Sequence, residues 1–320
     1  MCFLPTALCK AIAGKARDSD IIRRRLAVLI LFALCCVTGR SFADITVTDD
    51  TGVPVSLKAP AQRIISLSPH ITELLYSIGA GDALVGAVEY SDFPRAAQAI
   101  PRIGRHNALD MERIFSLRPD LVIAWQSGNP KHQVEQLRQL GLTVYYSEPR
   151  HLTSIADSLR QLGILTGRRA ESEATAQAFL QRYQQLQHRF KQAEQHAKPV
   201  TIFYQTWNPP LMTLNGEHLV NEIIELCGGR NIFASLPSLA PTVSKEAVIA
   251  ADPDMIIATS VETGLPRGLT QWREWPALKA VRLNNLFVIH PDIIHRYTLR
   301  ILDGVEALCG DVALARSRLN

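Results

Sequence analysis

The stretch "ERIFSLRPDLVIAW" runs from Glu112 to Trp125, and "EAVIAADPDMIIAT" runs from Glu246 to Thr259. Both read Glu, six residues, Pro-Asp, then a short apolar run, at a constant offset of 134 residues (246 − 112). Each predicts a short helix opened by the Glu, a Pro-Asp turn, and a sheet strand. One such unit in each half of the chain predicts two related lobes. An acid in the first turn of a helix favours the macrodipole by about 0.3–1 kcal/mol, which accounts for either Glu alone. The pairing points further, to two equivalent carboxylates offered to a partner with two equivalent basic patches.

Around these units the pattern alternates strand and helix. "RIISLS" (63–68) reads as a strand, with Ser68 placed to cap the next helix and Pro69 at its first position. "HITELLYSI" puts Ile71, Leu74, Leu75 and Ile78 on one face, and Gly79 suits the stop. "ALVGAVEY", "LVIAW" and "TVYYS" read as further strands, with helices in "MERIFSLRP" and "NPKHQVEQLRQLG". The second half repeats this with strands "VTIFYQ", "MIIATS" and "LFVIH" and helices "LVNEIIELCG", "KEAVIAAD" and "RILDGVEALCGDVALA". Continuous apolar strands alternating with helices predict parallel sheets covered on both faces, an α/β protein. Between the halves, "EATAQAFLQRYQQLQHRFKQAEQH" lacks Gly and Pro and predicts a stiff helix of about 24 residues, roughly 36 Å long. The expected organisation is a leader over 1–43, an N-terminal lobe over 44–150, a helical linker over 151–198 and a C-terminal lobe over 199–320.

The leader is read from "RRR" at Arg23–Arg25, twelve apolar residues in "LAVLILFALCCV", and "SFA" before Asp44. That order predicts a signal peptide cleaved after Ala43 and export to the periplasm; a spanning helix needs about 20 apolar residues. Cleavage removes seven of 34 Lys/Arg and two of 30 Asp/Glu, leaving 27 and 28. A near-neutral chain has no basic stripe for nucleic acid. Four of the six cysteines lie in the leader. Cys227 and Cys309 remain, an even pair in an oxidising compartment, and predict one disulfide. No G-x-S-x-G, H-E-x-x-H or P-loop is present, and "GAGDALVG" (79–86) follows a helix and enters a strand, the wrong order for a dinucleotide fingerprint. The nine histidines show no tight metal spacing. The reading is a binding protein rather than an enzyme, with no resident cofactor.

Ligands of open α/β sheets collect beyond the carboxyl ends of the strands. The residues predicted there include Tyr90, Trp125, Trp207 and, after "LFVIH", the segment "PDIIHRY" with His295. Rings with few charges suit a large, flat, partly apolar ligand. His106 and His295 are candidates to meet across a cleft; solvated loop histidines are the plainer reading.

The stretches "SLSPHITEL", "YSDFP", "LDMERIFSLRPDLVIAW", "GNPKHQVEQL", "NPP", "CGGRNIF", "VSKEAV" and the closing "LC" together resemble the periplasmic substrate-binding proteins of ABC importers whose two lobes are joined by one long helix (class III). Within that group the chain is most similar to the cobalamin (vitamin B12)-binding, BtuF-type family. The resemblance implies corrinoid contacts from Tyr90 and from Asp292, Ile293, Ile294, His295 and Arg296. It also implies a Cys227–Cys309 disulfide, a monomer, and docking of Glu112 and Glu246 on a dimeric membrane permease. Where that family has cleft aromatic residues this chain has His106, Ala240, Ile293 and Ile294, while Trp125 is kept and Trp207 adds ring surface. His106, Tyr90 or His295 would suit haem iron, so a haem or ferric-siderophore receptor is the alternative expectation, and a periplasmic metal-dependent enzyme a more distant one.

Overall fold

The computed structural model describes residues 44–194, 198–262 and 264–319; the leader expected over 1–43 lies outside the described residues. The chain opens with a hairpin of β1 (Ile45–Thr48) and β2 (Pro54–Leu57). It then builds a parallel sheet from β3 (Ile64–Ser66), β4 (Leu84–Ala87), β7 (Leu121–Trp125) and β8 (Val144–Ser147), in the order β4-β3-β7-β8. A two-residue ladder, β5 (Gly104–Arg105) with β6 (Ala108–Leu109), precedes the first repeated unit. The second half forms a matching parallel sheet from β9 (Val200–Gln205), β10 (Gly229–Asn231), β11 (Met255–Thr259) and β12 (Leu286–Ile289), in the order β10-β9-β11-β12. β10 and the opening hairpin are too short and polar to stand out in the sequence pattern.

The twin units superpose in their chemistry. Asp110 caps the helix Met111–Ser116 by accepting from Arg113 N at 3.0 Å, and Ser244 caps Lys245–Ala251 by accepting from Ala247 N at 3.1 Å. Both helices end on a left-handed residue, Arg118 (φ 46°) and Asp252 (φ 42°). The Pro-Asp aspartates then clamp the neighbouring strand. Asp120 accepts from Gln62 N and Arg63 N at 2.7 and 3.0 Å, and Asp254 accepts from Thr201 N at 2.9 Å. The Pro-Asp of each unit is thus a strand-to-strand tie as well as a turn.

The connection between the sheets is a helical pair rather than one uninterrupted element. Ser154–Thr166 stops at Gly167 (φ 71°), and Arg169–Glu194 then runs for 26 residues, about 39 Å. Ala176, Phe179, Tyr183 and Leu186 form a buried stripe at helical spacing on the long helix. This stripe belongs to one continuous apolar core that also takes in Ile64, Leu121 and Leu159 of the first half and Ile202, Ile223 and Leu308 of the second. Each sheet has a separate core on its other face, around Ile65 and Val122 in one lobe and Phe203 and Ile256 in the other. The long helix is therefore packed along its length and does not stand as a strut in solvent. Exposed ion pairs from Arg182 to Asp303 (2.6 Å) and Arg189 to Glu306 (2.6 Å) add little. Glu222 ties the C-terminal lobe to the turn before the first linker helix and to the long helix by accepting from Leu152 N (3.0 Å) and Tyr183 Oη (3.1 Å). Cys227 and Cys309 are disulfide-bonded, joining the helix Leu219–Leu226 to the C-terminal helix Ile301–Ser317.

The two linker helices meet closely at Gly163, where an added Cβ would lie 1.9 Å from Ser172 Oγ and 2.3 Å from its Cβ. Alanine is the better helix former by about 1 kcal/mol, yet overpacking costs about 1–3 kcal/mol. Gly163→Ala is expected to lower the melting temperature, and adding Ser172→Gly to recover part of the loss; calorimetry on the purified proteins measures both.

Candidate functional site

In the C-terminal lobe the chain closes a cavity of about 790 Å³ beyond the carboxyl ends of its strands, lined by Gln205, Trp207, Thr259, Val261, Pro291 and His295 among others. Gln205 and Thr259 are the last residues of β9 and β11, and Pro291 follows β12. Trp207 is 63% exposed, with Nε1 donating to Pro209 O at 2.8 Å, so its ring faces stay open. Val261, also strongly exposed, joins it on the rim; nothing in the sequence pattern singled it out.

The N-terminal lobe presents its own set at the equivalent ends. Trp125 closes β7, half-buried, and its ring lies against Gly128, where any Cβ would fall within 1.9 Å of the indole. Glycine at that position is what allows the ring to fold back over the turn. His106 is exposed, its ring 6.1 Å from that of Trp125. β4 stops at Ala87, short of the strand expected through Tyr90. Tyr90 instead takes a left-handed backbone (φ 66°) and is 67% exposed. Such a conformation costs about 1–3 kcal/mol and marks functional loops. Arg102 holds the loop by donating to Ser91 O at 2.9 Å.

Rings from both lobes pack into a layer that the sequence reading missed. His70 is buried, 5.6 Å from the Trp125 ring and 5.8 Å from Tyr297 of the other lobe. Its Nδ1 is 2.7 Å from Ser68 Oγ; the Ser68 hydroxyl is used here, so it does not supply the side-chain cap that the sequence pattern predicts. Tyr297 Oη lies 3.1 Å from His218 Nε2, and Tyr204 Oη lies 2.9 Å from His295 Nε2. His218 Nδ1 accepts from Val220 N at 3.1 Å, capping the helix Leu219–Leu226. That nitrogen must be unprotonated, so the neutral ring carries its proton on Nε2 and donates to Tyr297. His295 is thus a half-buried residue of the cavity wall with a tyrosine partner rather than a solvated loop histidine. It does not meet His106: its ring neighbours are Tyr204 and His218. A histidine two residues before or after a tyrosine was the faint available signal, but pairing across 79 and 91 residues is a tertiary outcome.

The segment Asp292–Arg296 divides by role. Ile294 is fully buried in the core, because it packs beneath the C-terminal helix, so it presents no surface to a cleft; Ile293 is half-buried beside it. Asp292 pairs with Arg296 at 2.8 Å. Arg296 also reaches Glu73 (2.9 Å) and Asp92 (2.8 Å) of the other lobe. Glu112 and Glu246 are both exposed, each the second residue of its capped helix. The carboxyl of Glu246 is held below its usual range, chiefly by hydrogen bonds from its own backbone N–H and from Ser244. Among the described residues no three His, Cys, Asp or Glu side chains gather as a metal-ligand set.

Burial holds the histidines neutral. His70 is lowered to about 3, by desolvation and then by the Arg296 charge. His218 is lowered to about 3 by desolvation and by His295, and His295 to about 4 by desolvation. An unfolded histidine binds its proton near pH 6.5, so below that pH the unfolded state holds protons that the folded state refuses, and stability falls as pH drops toward 4. Asp311, pushed up to about 6 by burial, opposes this with a single proton. The melting temperature is therefore expected to fall between about pH 6.5 and 4. His218→Asn, which keeps a capping acceptor, should flatten that slope in a pH series of thermal melts.

A family model of periplasmic binding proteins matches residues 64–293. A vitamin B12-binding protein of Vibrio cholerae serotype O1 is 38% identical over 260 residues, 81% of this chain and 92% of its own. Another, from Photorhabdus laumondii, is 35% identical over 254 residues, 79% of this chain and 89% of its own. The crystal structure of the periplasmic vitamin B12 binding protein BtuF of Vibrio cholerae matches with a TM-score of 0.73 at 37% identity, covering 80% of this chain and 98% of that one. A periplasmic heme-binding protein, RhuT of Roseiflexus, shares the fold (TM-score 0.71) at 22% identity, over 80% of this chain and 99% of that one. Twin parallel sheets, a packed helical connection and ring-bearing strand ends thus occur in a sequence that matches from its first sheet strand to the Asp292 segment, and the chain belongs to the periplasmic binding protein family.

Proposed function

We propose that the protein is the periplasmic receptor of an ABC importer that captures cobalamin (vitamin B12) or a related corrinoid and hands it to a membrane permease. The observation that carries this reading is the set of rings at the carboxyl ends of both sheets, Tyr90, His106 and Trp125 in one lobe and Trp207 and His295 in the other, in a chain 37–38% identical to vitamin B12-binding proteins. A corrin is broad, flat and edged with amides; it suits exposed ring faces bordered by hydrogen-bonding groups and few free charges. Capture needs no bond-making: the corrinoid is cargo, no resident cofactor is invoked, and the receptor acts as a monomer delivered to the periplasm by cleavage of its leader.

Delivery uses the repeated unit. Each helix is joined to its strand by a turn of four residues in the first unit and three in the second, which sets the helix start, and with it Glu112 or Glu246, toward the carboxyl end of that strand. Each lobe thereby offers one exposed carboxylate to one subunit of a permease dimer through charge-assisted pairing with basic side chains. Because the lobes share a continuous core, ligand uptake proceeds with modest closure.

Titration of the purified protein with cyanocobalamin, followed by visible absorbance and calorimetry, should give saturable one-to-one binding, whereas hemin should bind weakly; tight hemin binding without cobalamin binding would assign the protein to haem uptake. Trp207→Ala should weaken cyanocobalamin binding about fivefold, the scale of one lost ring contact. For docking, Glu112→Gln with Glu246→Gln should leave cyanocobalamin affinity unchanged and abolish uptake into vesicles bearing the permease; parallel loss of binding would refute the docking role.

A further inference from the structure

Glu73 stands on the helix Pro69–Ser77 among residues that are buried on every side, and its side chain is only 3% exposed. It accepts from two arginines of the other lobe: Arg296 Nη1 at 2.9 Å, and Arg300 Nη2 and Nε at 2.6 and 3.0 Å. The arginines are 13% and 22% exposed. From this anchor both reach back to the loop that carries Tyr90. Arg296 donates to Asp92 at 2.8 Å, and the Arg300 guanidinium lies 4.0 Å from the centre of the Phe93 ring. Arg296 is held on its own side by Asp292 at 2.8 Å.

Removing one partner of a buried ion pair strands the other charge, whereas the intact pair adds little stability over an apolar replacement. A buried carboxylate serving two cations from the opposite lobe is therefore poorly explained as a stabilising device. Its geometry explains it better. Glu73 fixes Arg296 and Arg300, and through them places the Tyr90–Phe93 loop against the Asp292–Arg296 segment.

We infer that Glu73 is a positioning residue for the ligand cleft: it latches the lobes through Arg296 and Arg300 and sets the spacing between the two loops that contact the corrinoid, without touching the ligand itself. This rests on the proposed corrinoid reading for its binding consequences, though not for the latch. Glu73→Gln keeps the shape and removes the charge. It should weaken cyanocobalamin binding about tenfold or more, chiefly through faster dissociation, in line with the cost of unpairing buried charge. Arg300→Gln should weaken it too, and the double variant should be no weaker than Glu73→Gln alone, since both remove one coupled unit. Small-angle scattering of ligand-free Glu73→Gln should show a larger radius of gyration than wild type, at unchanged secondary structure.

Wild-type dissociation from Glu73→Gln, additive losses in the double variant, or lost affinity with unaltered scattering would each overturn the proposal. If Glu73→Gln does not fold, Glu73→Asp, one methylene shorter, replaces it and should show the same opening to a smaller degree. Should the wild type bind no cyanocobalamin, the functional reading fails, and scattering of the ligand-free variant still decides the latch by itself.

Discussion

Everything in this molecule depends on the apolar core that the two sheets share. One face of each parallel sheet packs against the linker helices, the Leu219–Leu226 helix and the C-terminal helix, and the buried side chains form a single contiguous cluster. Two lobes with separate cores would be free to move, since inter-domain interfaces are ordinarily small and polar. Here closing or opening the lobes must deform a close-packed interior, which yields in discrete steps rather than smoothly. The disulfide and the Glu222 contacts reinforce the same back wall.

With the back fixed, the cleft side is where specificity is set. Its deepest layer is built of paired rings, Tyr204 with His295 and Tyr297 with His218, whose polar atoms satisfy one another. A buried polar network of this kind is stable only when its members are paired. Burial holds His70, His218 and His295 neutral, so the layer itself carries no charge. Beside it Glu73 gathers the two arginines. Tyr90 and Trp207 are exposed rings, one on each lobe.

The repeated unit shows how one local device serves both architecture and function. Its cap, its left-handed stop and its Pro-Asp strand tie recur in the two lobes with different residue types, Asp110 or Ser244 as cap and Arg118 or Asp252 as stop. Physical role was kept where identity was not. The Glu at the second position of each helix is an exposed acid that repeats with the unit and takes no part in the tie.

Much of this was legible in the sequence, because it follows from local pattern. Apolar runs bounded by turn residues defined the strands of the two four-stranded parallel sheets other than short β10, and "VTIFYQ" and "LVIAW" match β9 and β7 residue for residue. The 134-residue offset revealed the duplication, and counting cysteines after the leader identified the disulfide. What the sequence could not determine is which distant side chains meet. Nothing in the local pattern singles out Glu73, and His295 reads as a solvated loop histidine. Ile294 looks like a cleft residue by resemblance yet faces the core. His295 finds its tyrosine 91 positions away, and Glu73 its arginines 223 and 227 positions away; such pairings emerge only when two sheets pack on one shared interior. Local periodicity determines the elements; burial and charge pairing between elements decide the site.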